Sequence, residues 1–302
     1  MKLTILGCHS ATPRTHRNPT SQVLEIRNHI FLIDCGEGTQ VELRRNKIKF
    51  SRIKHIFISH LHGDHYFGLI GLISTFQLLS RKDELHIYGP KGLKEVITLQ
   101  VKLANSWTAY DLRFHILDQK IPELIFEDET LTVNTIPLNH RVYTNGFLFR
   151  EKPGERKLDY RKAVDMEIEM PYFRKLKIGD DVPNRNGEMI KNDMVTSEPN
   201  PTKSYAFCSD TGYMPTICDQ IKSVDVLYHE STFLEKNSNL AESTKHSTAK
   251  QAAQIARVAE AKLLILGHFS TRYDDLEEFA LEAQEIFENT ELAADGKSFT
   301  FN

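Results

Sequence analysis

The sequence predicts an α+β fold in which two sheets pack face to face with helices outside. Three observations predict it. Short β-branched and aromatic runs come first in each half of the chain, and stretches with helical spacing follow them. Polar residues then stand where apolar runs stop, at His60, His140, Asp210, His229-Glu230 and His268. Loops at strand ends are where a rigid sheet scaffold usually assembles a site.

Lys2 to Leu6 reads as the first strand, followed by a polar loop from Cys8 to Ser21. Gln22 to Arg27 and Ile30 to Asp34 pair across Asn28-His29. Asp34-Cys35-Gly36-Glu37-Gly38-Thr39 is a glycine-bracketed turn, whose Asp34 and Glu37 could be functional but are more often turn-stabilising carboxylates, and Gln40 to Asn46 is a short helix. Ile53 to Ile58 is a strand, Tyr66 to Ser80 a helix, Leu85 to Tyr88 a strand and Leu93 to Leu103 a helix. Phe114 to Leu117, Ile125 to Phe126, Leu131 to Ile136 and Phe147 to Phe149 fit strands.

From Glu151 to about Lys203 the character changes. Prolines, Asn186-Gly187 and dense charge of both signs leave little core-forming periodicity. This stretch is expected to be an arm inserted into a single domain that spans 1–302. Regular pattern returns with strands at Ser204 to Cys208, Val224 to Tyr228 and Lys262 to Leu266. Helices are expected at Thr248 to Ala259 and Asp274 to Phe287, with a last strand near Phe299 to Phe301.

At 302 residues the chain buries a sizeable core. A net charge of −3 carries no nucleic-acid signature for the chain as a whole. The run from Arg44 to Lys54 is the local exception, with six bases and no acid. Alone it would be a solvated surface; just before a candidate site it could hold an anionic substrate. Four scattered cysteines suggest neither a disulfide frame nor a zinc ribbon. No apolar run is long enough to span a membrane, and the N-terminus has too short an apolar part for a signal peptide. A cytoplasmic location is the expectation.

The chemistry centres on Ser59-His60-Leu61-His62-Gly63-Asp64-His65. A strand would group 60, 62 and 64, and a helix would separate 60 from 62. A loop bending at Gly63 can wrap His60, His62, Asp64 and His65 around a cation. Imidazole and carboxylate without thiolate argue against a closed structural zinc site. Any single later histidine is more often a surface or satisfied core residue than a ligand. Together, however, His60, His62, Asp64, His65, His140, Asp210 and His268 make seven ligand-type side chains. One catalytic zinc takes only three protein ligands, so seven suit two ions sharing a carboxylate and a water. Such a pair lowers the water's pKa and needs no serine or cysteine nucleophile. A hydrolase is expected.

His60-Leu61-His62-Gly63-Asp64-His65 matches the HxHxDH signature of the metallo-β-lactamase superfamily, and His140, Asp210 and His268 match its later ligand positions. Within it the chain resembles the ribonuclease Z family, in Asp34-Cys35-Gly36-Glu37-Gly38-Thr39-Gln40, His229-Glu230-Ser231-Thr232, His246-Ser247-Thr248 and Gly267-His268-Phe269-Ser270-Thr271-Arg272-Tyr273. The resemblance implies an αββα sandwich of two mixed sheets, a homodimer, and a flexible arm that grips the tRNA. It implies one metal on His60, His62 and His140, another on Asp64, His65 and His268, and Asp210 bridging them. The ions would be two Zn2+ per subunit, with Mn2+ or Fe2+ also compatible. Asp64 would orient or deprotonate the attacking water. His246, aided by Glu230, would protonate the leaving 3′-oxygen. The substrate would be precursor tRNA, cut to remove its 3′ trailer and leave a 3′-hydroxyl; neither DNA nor a membrane is an expected partner. Arg17, Arg44, Arg45, Arg161, Lys162, Arg174, Lys175 and Arg272 are the expected RNA contacts.

Two departures from the family pattern bear on how RNA is held. The arm reads Glu169-Met170-Pro171-Tyr172-Phe173-Arg174-Lys175 where the family usually has Gly-Pro. Thr15 replaces a lysine in Pro13-Arg14-Thr15-His16-Arg17-Asn18. The alternatives are a same-fold hydrolase for small phosphodiesters or sulfate esters, and a non-catalytic RNA-binding protein. The complete ligand set argues against the latter, and the long basic-aromatic arm against the former.

Overall fold

The computed structural model describes residues 1–301 except 13 and 16, so Pro13 and His16 of the block 13–18 lie outside the described residues. Internal contacts divide the chain into two units. The first comprises residues 1–127, 132–149 and 204–302, and the second 128–131 and 150–203.

In chain order the strands begin with β1 (Lys2–Gly7), β2 (Ser21–Ile26), β3 (His29–Ile33), β4 (Ile53–Phe57), β5 (Leu85–Pro90) and β6 (Leu112–Leu117). Next come β7 (Leu124–Glu127), β8 (Leu131–Pro137) and β9 (Asn145–Glu151), then four two-residue strands of the second unit. These are β10 (Lys157–Leu158), β11 (Val182–Pro183), β12 (Met189–Ile190) and β13 (Thr196–Ser197). β14 (Ser204–Cys208), β15 (Val226–Glu230), β16 (Leu264–Gly267), β17 (Thr290–Leu292) and β18 (Ser298–Thr300) close the series. Two seven-stranded sheets result, ordered β18-β1-β2-β3-β4-β5-β6 and β17-β16-β15-β14-β9-β8-β7. Both are mixed. β3 to β6 run parallel, as do β14 to β17, while β1 pairs antiparallel with β2 and β18.

Side-chain alternation on β3 explains the layering. Ile30 and Leu32 face the outer helices α1 (Thr39–Arg45), α2 (Gly63–Tyr66), α3 (Leu69–Leu78) and α4 (Leu93–Leu103), sharing a core with Leu43, Leu72, Phe76 and Ile97. Phe31 faces the other way, toward the second sheet. Its ring lies 5.4 Å from that of Phe149, and Phe57 lies 5.3 Å from Phe147 and 5.5 Å from Phe149. Such aromatic pairs add about 0.5–1.5 kcal/mol each beyond the area they bury.

Two expectations are corrected. The helix from Tyr66 to Ser80 is broken into α2 and α3, because the glycine turn pushes into it. Gly68 donates its N–H to the Cys35 carbonyl at 2.9 Å, and a Cβ at Gly68 would sit 2.1 Å from the Gly36 carbonyl oxygen. The second stretch is the span from 150 to 203, which does have a core of its own. Ala163, Ile168, Leu176, Val182, Ile190 and Val195 are buried together. They come from α5 (Tyr160–Asp165), α6 (Phe173–Ile178), α7 (Asn192–Val195) and the short strands. Each element contributes only one or two apolar residues, too few to register as a period. Asp159 caps α5 by accepting the Lys162 N–H, and Gly179 ends α6 at a φ of 105°.

The remaining helices, α8 (Ser238–Thr244), α9 (Ala249–Val258) and α10 (Glu277–Gln284), belong to the first unit. α10 is shorter at both ends than the span from Asp274 to Phe287. No described helix is long and apolar enough to cross a membrane.

Candidate metal centre

Parallel strands present their carboxyl ends on one edge, and that edge is where ligands of open sheets gather. Asp34 follows β3, His60 follows β4, Asp210 follows β14, Glu230 ends β15 and His268 follows β16. Asp34, Asp210 and His268 have left-handed backbones, with φ of 55°, 59° and 60°. Side chains with a Cβ pay a steric cost there, and the cost recurs at three of the five positions where this edge presents a buried polar group.

Seven side chains anticipated from the sequence come together. His60, His62, His140 and Asp210 form one set, and Asp64, His65 and His268 another beside it. Asp210 faces both. Its Oδ2 lies 3.7 Å from His60 Nε2 and 3.8 Å from His140 Nε2. Its Oδ1 lies 3.2 Å from His65 Nε2 and 3.1 Å from His268 Nε2. Other separations are 3.0 Å (His60 Nε2 to His62 Nδ1), 3.3 Å (His62 Nδ1 to His140 Nε2) and 3.5 Å (His65 Nε2 to Asp64 Oδ2). For metal–ligand bonds of about 2.0–2.1 Å, the edge of a coordination tetrahedron is about 3.3–3.4 Å. The spacing in both sets suits a small divalent cation.

The hydrogen bonds behind the rings settle which nitrogen faces inward. Ser59 Oγ donates to Asp34 Oδ2 at 2.9 Å, so it accepts from His60 Nδ1 at 3.0 Å. Thr232 Oγ1 donates to Glu230 Oε2 at 2.6 Å and accepts from His268 Nδ1 at 2.9 Å. His65 Nδ1 donates to Asp34 Oδ2 at 2.7 Å, and His140 Nδ1 to the Lys245 carbonyl at 2.9 Å. In all four rings the neutral tautomer therefore turns an Nε2 lone pair toward the centre. His65 Nε2 and His268 Nε2 are buried without a hydrogen-bond partner. Buried acceptors facing carboxylates are costly unless a cation stands between them. Burial opposes a proton on His65, yet Asp210, Asp34 and Asp64 lift its pKa well above the usual imidazole value. The same anionic field would favour metal ions.

Asp34 is more than a turn residue. Fully buried, it also accepts the Ser59 backbone N–H at 2.7 Å, so a single carboxylate aligns His65 directly and His60 through Ser59. No local sequence signal separates that role from a turn carboxylate; Glu37, three residues on, is exposed. Asp34→Asn is expected to weaken metal binding by roughly 10–100-fold, the range for lost partners of metal-binding histidines. Chelator competition measures it, and unchanged affinity would remove Asp34 from the support of the site.

His246 is buried, with its Nδ1 2.7 Å from Glu230 Oε1. Burial pulls its pKa down, but the Glu230 carboxylate outweighs burial and raises it to about 9. Burial pushes Glu230 up and His246 pulls it down further, to about 2. The capping box of Thr248 and Gln251 at the start of α9 pins the chain two residues beyond His246. The His246 ring stands 5.0 Å from His140 and 5.4 Å from His268. His229, by contrast, stays out of the cluster, buried with its Nδ1 2.8 Å from the Glu230 carbonyl.

A cavity of about 600 Å³ opens over the cluster, lined by His62, Asp64, Asp210, His246 and His268. Exposed Arg272 lines it, as does Arg141, which sequence reasoning missed although it adjoins His140. Arg17 donates to the carbonyls of Tyr273 at 3.2 Å and Asp274 at 3.1 Å, bracing the loop that carries Arg272. Arg44 and Arg45 do not line this cavity. Arg44 lies over the Phe50 ring beside a separate cavity of about 580 Å³, and Arg45 pairs with Glu42. Arg161, Lys162, Arg174 and Lys175 are exposed in the second unit.

The fold is similar to that of the metallo-β-lactamase fold protein YhfI from Bacillus subtilis, with a TM-score of 0.68 and 16% identity over 99% of this chain and 98% of that one. The architecture is thus the metallo-β-lactamase fold, with clusters of His and Asp that could hold metal ions at the carboxyl ends of its strands. Residues 1–153 match the family model described as "Anti-Pycsar protein Apyc1". Over its full length the chain is 47% identical to a Ribonuclease Z of Bacteroides thetaiotaomicron, across 302 residues that make up 100% of this chain and 95% of that one. It is also similar to human tRNase Z, short form, with a TM-score of 0.71 and 26% identity covering 99% of both chains. The chain belongs to the ribonuclease Z family.

Proposed function

We propose that this endoribonuclease removes the 3′ trailer of precursor tRNA, leaving a 3′-hydroxyl on the tRNA and a 5′-phosphate on the trailer. The observation that carries the reading is Asp210, offering one oxygen to each of two His/Asp sets in a chain alike from end to end to a ribonuclease Z. His60, His62 and His140 would hold one divalent cation, Asp64, His65 and His268 a second, and Asp210 both. When bound, two such ions supply Lewis acidity toward the phosphodiester and lower the pKa of water between them. Zinc suits these ligands, and manganese or iron would also fit.

Asp64 Oδ2 lies 3.5 Å from His65 Nε2 and 3.7 Å from His268 Nε2, inside the cavity, where it can align water for attack on phosphorus. As the water oxygen bonds to phosphorus it gives up a proton to Asp64, and the bond to the 3′-oxygen breaks. His246 gives its proton to that oxygen, and Glu230 holds the imidazolium in place. Arg141 and Arg272 offer positive charge to the phosphates on either side. The second unit supplies the basic face of the arm, and RNA held there would be bound by shape and phosphate charge. A homodimer in the cytoplasm, acting on neither DNA nor membranes, completes the reading.

The test is cleavage of end-labelled precursor tRNA, with metal content measured on the same preparation. Asp64→Ala is expected to lose cleavage and to retain less metal. Replacing Arg161, Lys162, Arg174 and Lys175 together by Ala should spare hydrolysis of bis(p-nitrophenyl) phosphate. The same variant should flatten the salt dependence of tRNA cleavage by up to about three to four in log–log slope. An unaltered slope would leave those four residues without a part in binding RNA, and full cleavage by Asp64→Ala would remove it from the chemistry.

A further inference from the structure

Beside the metal cavity lies a smaller one of about 320 Å³, at the low end of small-ligand sites, and His246 lines both. Its other walls include Asn139, next to His140; Tyr213, three residues after Asp210; Asn239 and Glu242 of α8; and Lys245. The side chains of these five make no hydrogen bond or ion pair among the described residues. All five are exposed, so their polar atoms face solvent and are open to a ligand. Two amides can donate and accept, Glu242 accepts, Lys245 donates, and Tyr213 offers a ring 41% exposed. That is the inventory for reading the edge of an unstacked, planar heterocycle, as proteins read single-stranded RNA.

We infer that this cavity binds the base of the last tRNA nucleotide, the one on the 5′ side of the cut; the inference rests on the processing function proposed above. The link is His246. The 3′-oxygen that receives its proton belongs to that nucleotide, so the ribose lies against the imidazole. The first trailer nucleotide leaves with the phosphorus, on the side of the metal cavity. From a ribose against His246, the base reaches the one polar chamber among the described cavities that shares this histidine with the metal cavity.

The experiment compares kcat/KM of the full chain on three precursor tRNAs: intact, abasic at the last tRNA nucleotide, and abasic at the first trailer nucleotide. Wild type is expected to lose about 10-fold or more from the first abasic site, in line with the loss of one stacked base, and little from the second. The double variant Tyr213→Ala/Asn239→Ala, altered at exposed positions, should cleave the intact precursor more slowly and suffer no further loss from the same abasic site. Its unchanged hydrolysis of bis(p-nitrophenyl) phosphate shows that the fold and the metal cluster are intact. An equal abasic penalty in wild type and variant overturns the assignment, as does a penalty confined to the trailer nucleotide. Failure of wild type to cut any precursor while it hydrolyses the small diester instead overturns the processing function, and the base assignment falls with it.

Discussion

Asp210→Ala is expected to abolish cleavage, by about 10³-fold or more, and to take both metals with it. The other six side chains each face one set, whereas Asp210 offers Oδ2 to His60 and His140 and Oδ1 to His65 and His268. On the two-ion reading proposed above, truncating it would remove a ligand from each ion and the charge that would keep two cations close together. If the metals contribute several kcal/mol to the transition state, three or more powers of ten follow at about 1.4 kcal/mol per tenfold. Metal content should fall below one ion per chain. A second readout is thermal: a ligand that binds only the native state raises its stability by RT ln(1 + [L]/Kd). Added zinc should shift the melting temperature of wild type and not of Asp210→Ala. His62→Ala serves as the comparison, because His62 faces one set only and should spare the other metal. Two ions per chain in Asp210→Ala would mean that the carboxylate does not bridge.

Much of this site was legible because its densest part is local. His60, His62, Asp64 and His65 crowd six positions after an apolar strand, and His140, Asp210 and His268 each follow another strand. The sandwich was legible from the order of its parts, strand-forming runs opening each half and helical stretches following. By contrast, the alternation that sends Phe31 to one layer and its β3 neighbours to the other was seen in the structure. A turn role was favoured over a functional one for Asp34 because its partner is His65, brought close by the parallel pairing of β3 and β4. The break in the helix after Tyr66 depends on Gly68 meeting the Gly36 carbonyl, a contact between segments 32 residues apart in sequence. The core of the 150–203 unit was missed because short elements do not generate a period. Arg141 carried no signal beyond its neighbour, and only the cavity shows what it faces.

His246→Ala is expected to slow precursor cleavage by about 10²–10⁴-fold, the usual contribution of a positioned general acid, while metal content stays at the wild-type level. His246 also stands close enough to Asp210 and His268 to share an ion with them, but both sets of ligands are complete without it, and its Nδ1 is committed to Glu230 at 2.7 Å. The leaving group separates proton donation from a merely structural role. A ribose 3′-oxygen is a poor leaving group and needs a proton as its bond to phosphorus breaks, whereas p-nitrophenolate departs unaided. The variant should therefore lose far more activity on precursor tRNA than on bis(p-nitrophenyl) phosphate, with the loss in kcat rather than KM. Glu230→Gln is a harsher change. Glu230 also accepts the N–H groups of Thr211 at 2.8 Å, Thr232 at 3.0 Å and Ser247 at 3.2 Å, along with the Thr232 hydroxyl. An amide there would turn a donor toward buried donors at a cost of about 1–3 kcal/mol each. Glu230→Gln should accordingly lower the melting temperature as well as the rate, whereas His246→Ala should act chiefly on rate. Equal losses on both substrates in His246→Ala would rule out proton transfer to the leaving oxygen and leave His246 a role in substrate placement alone.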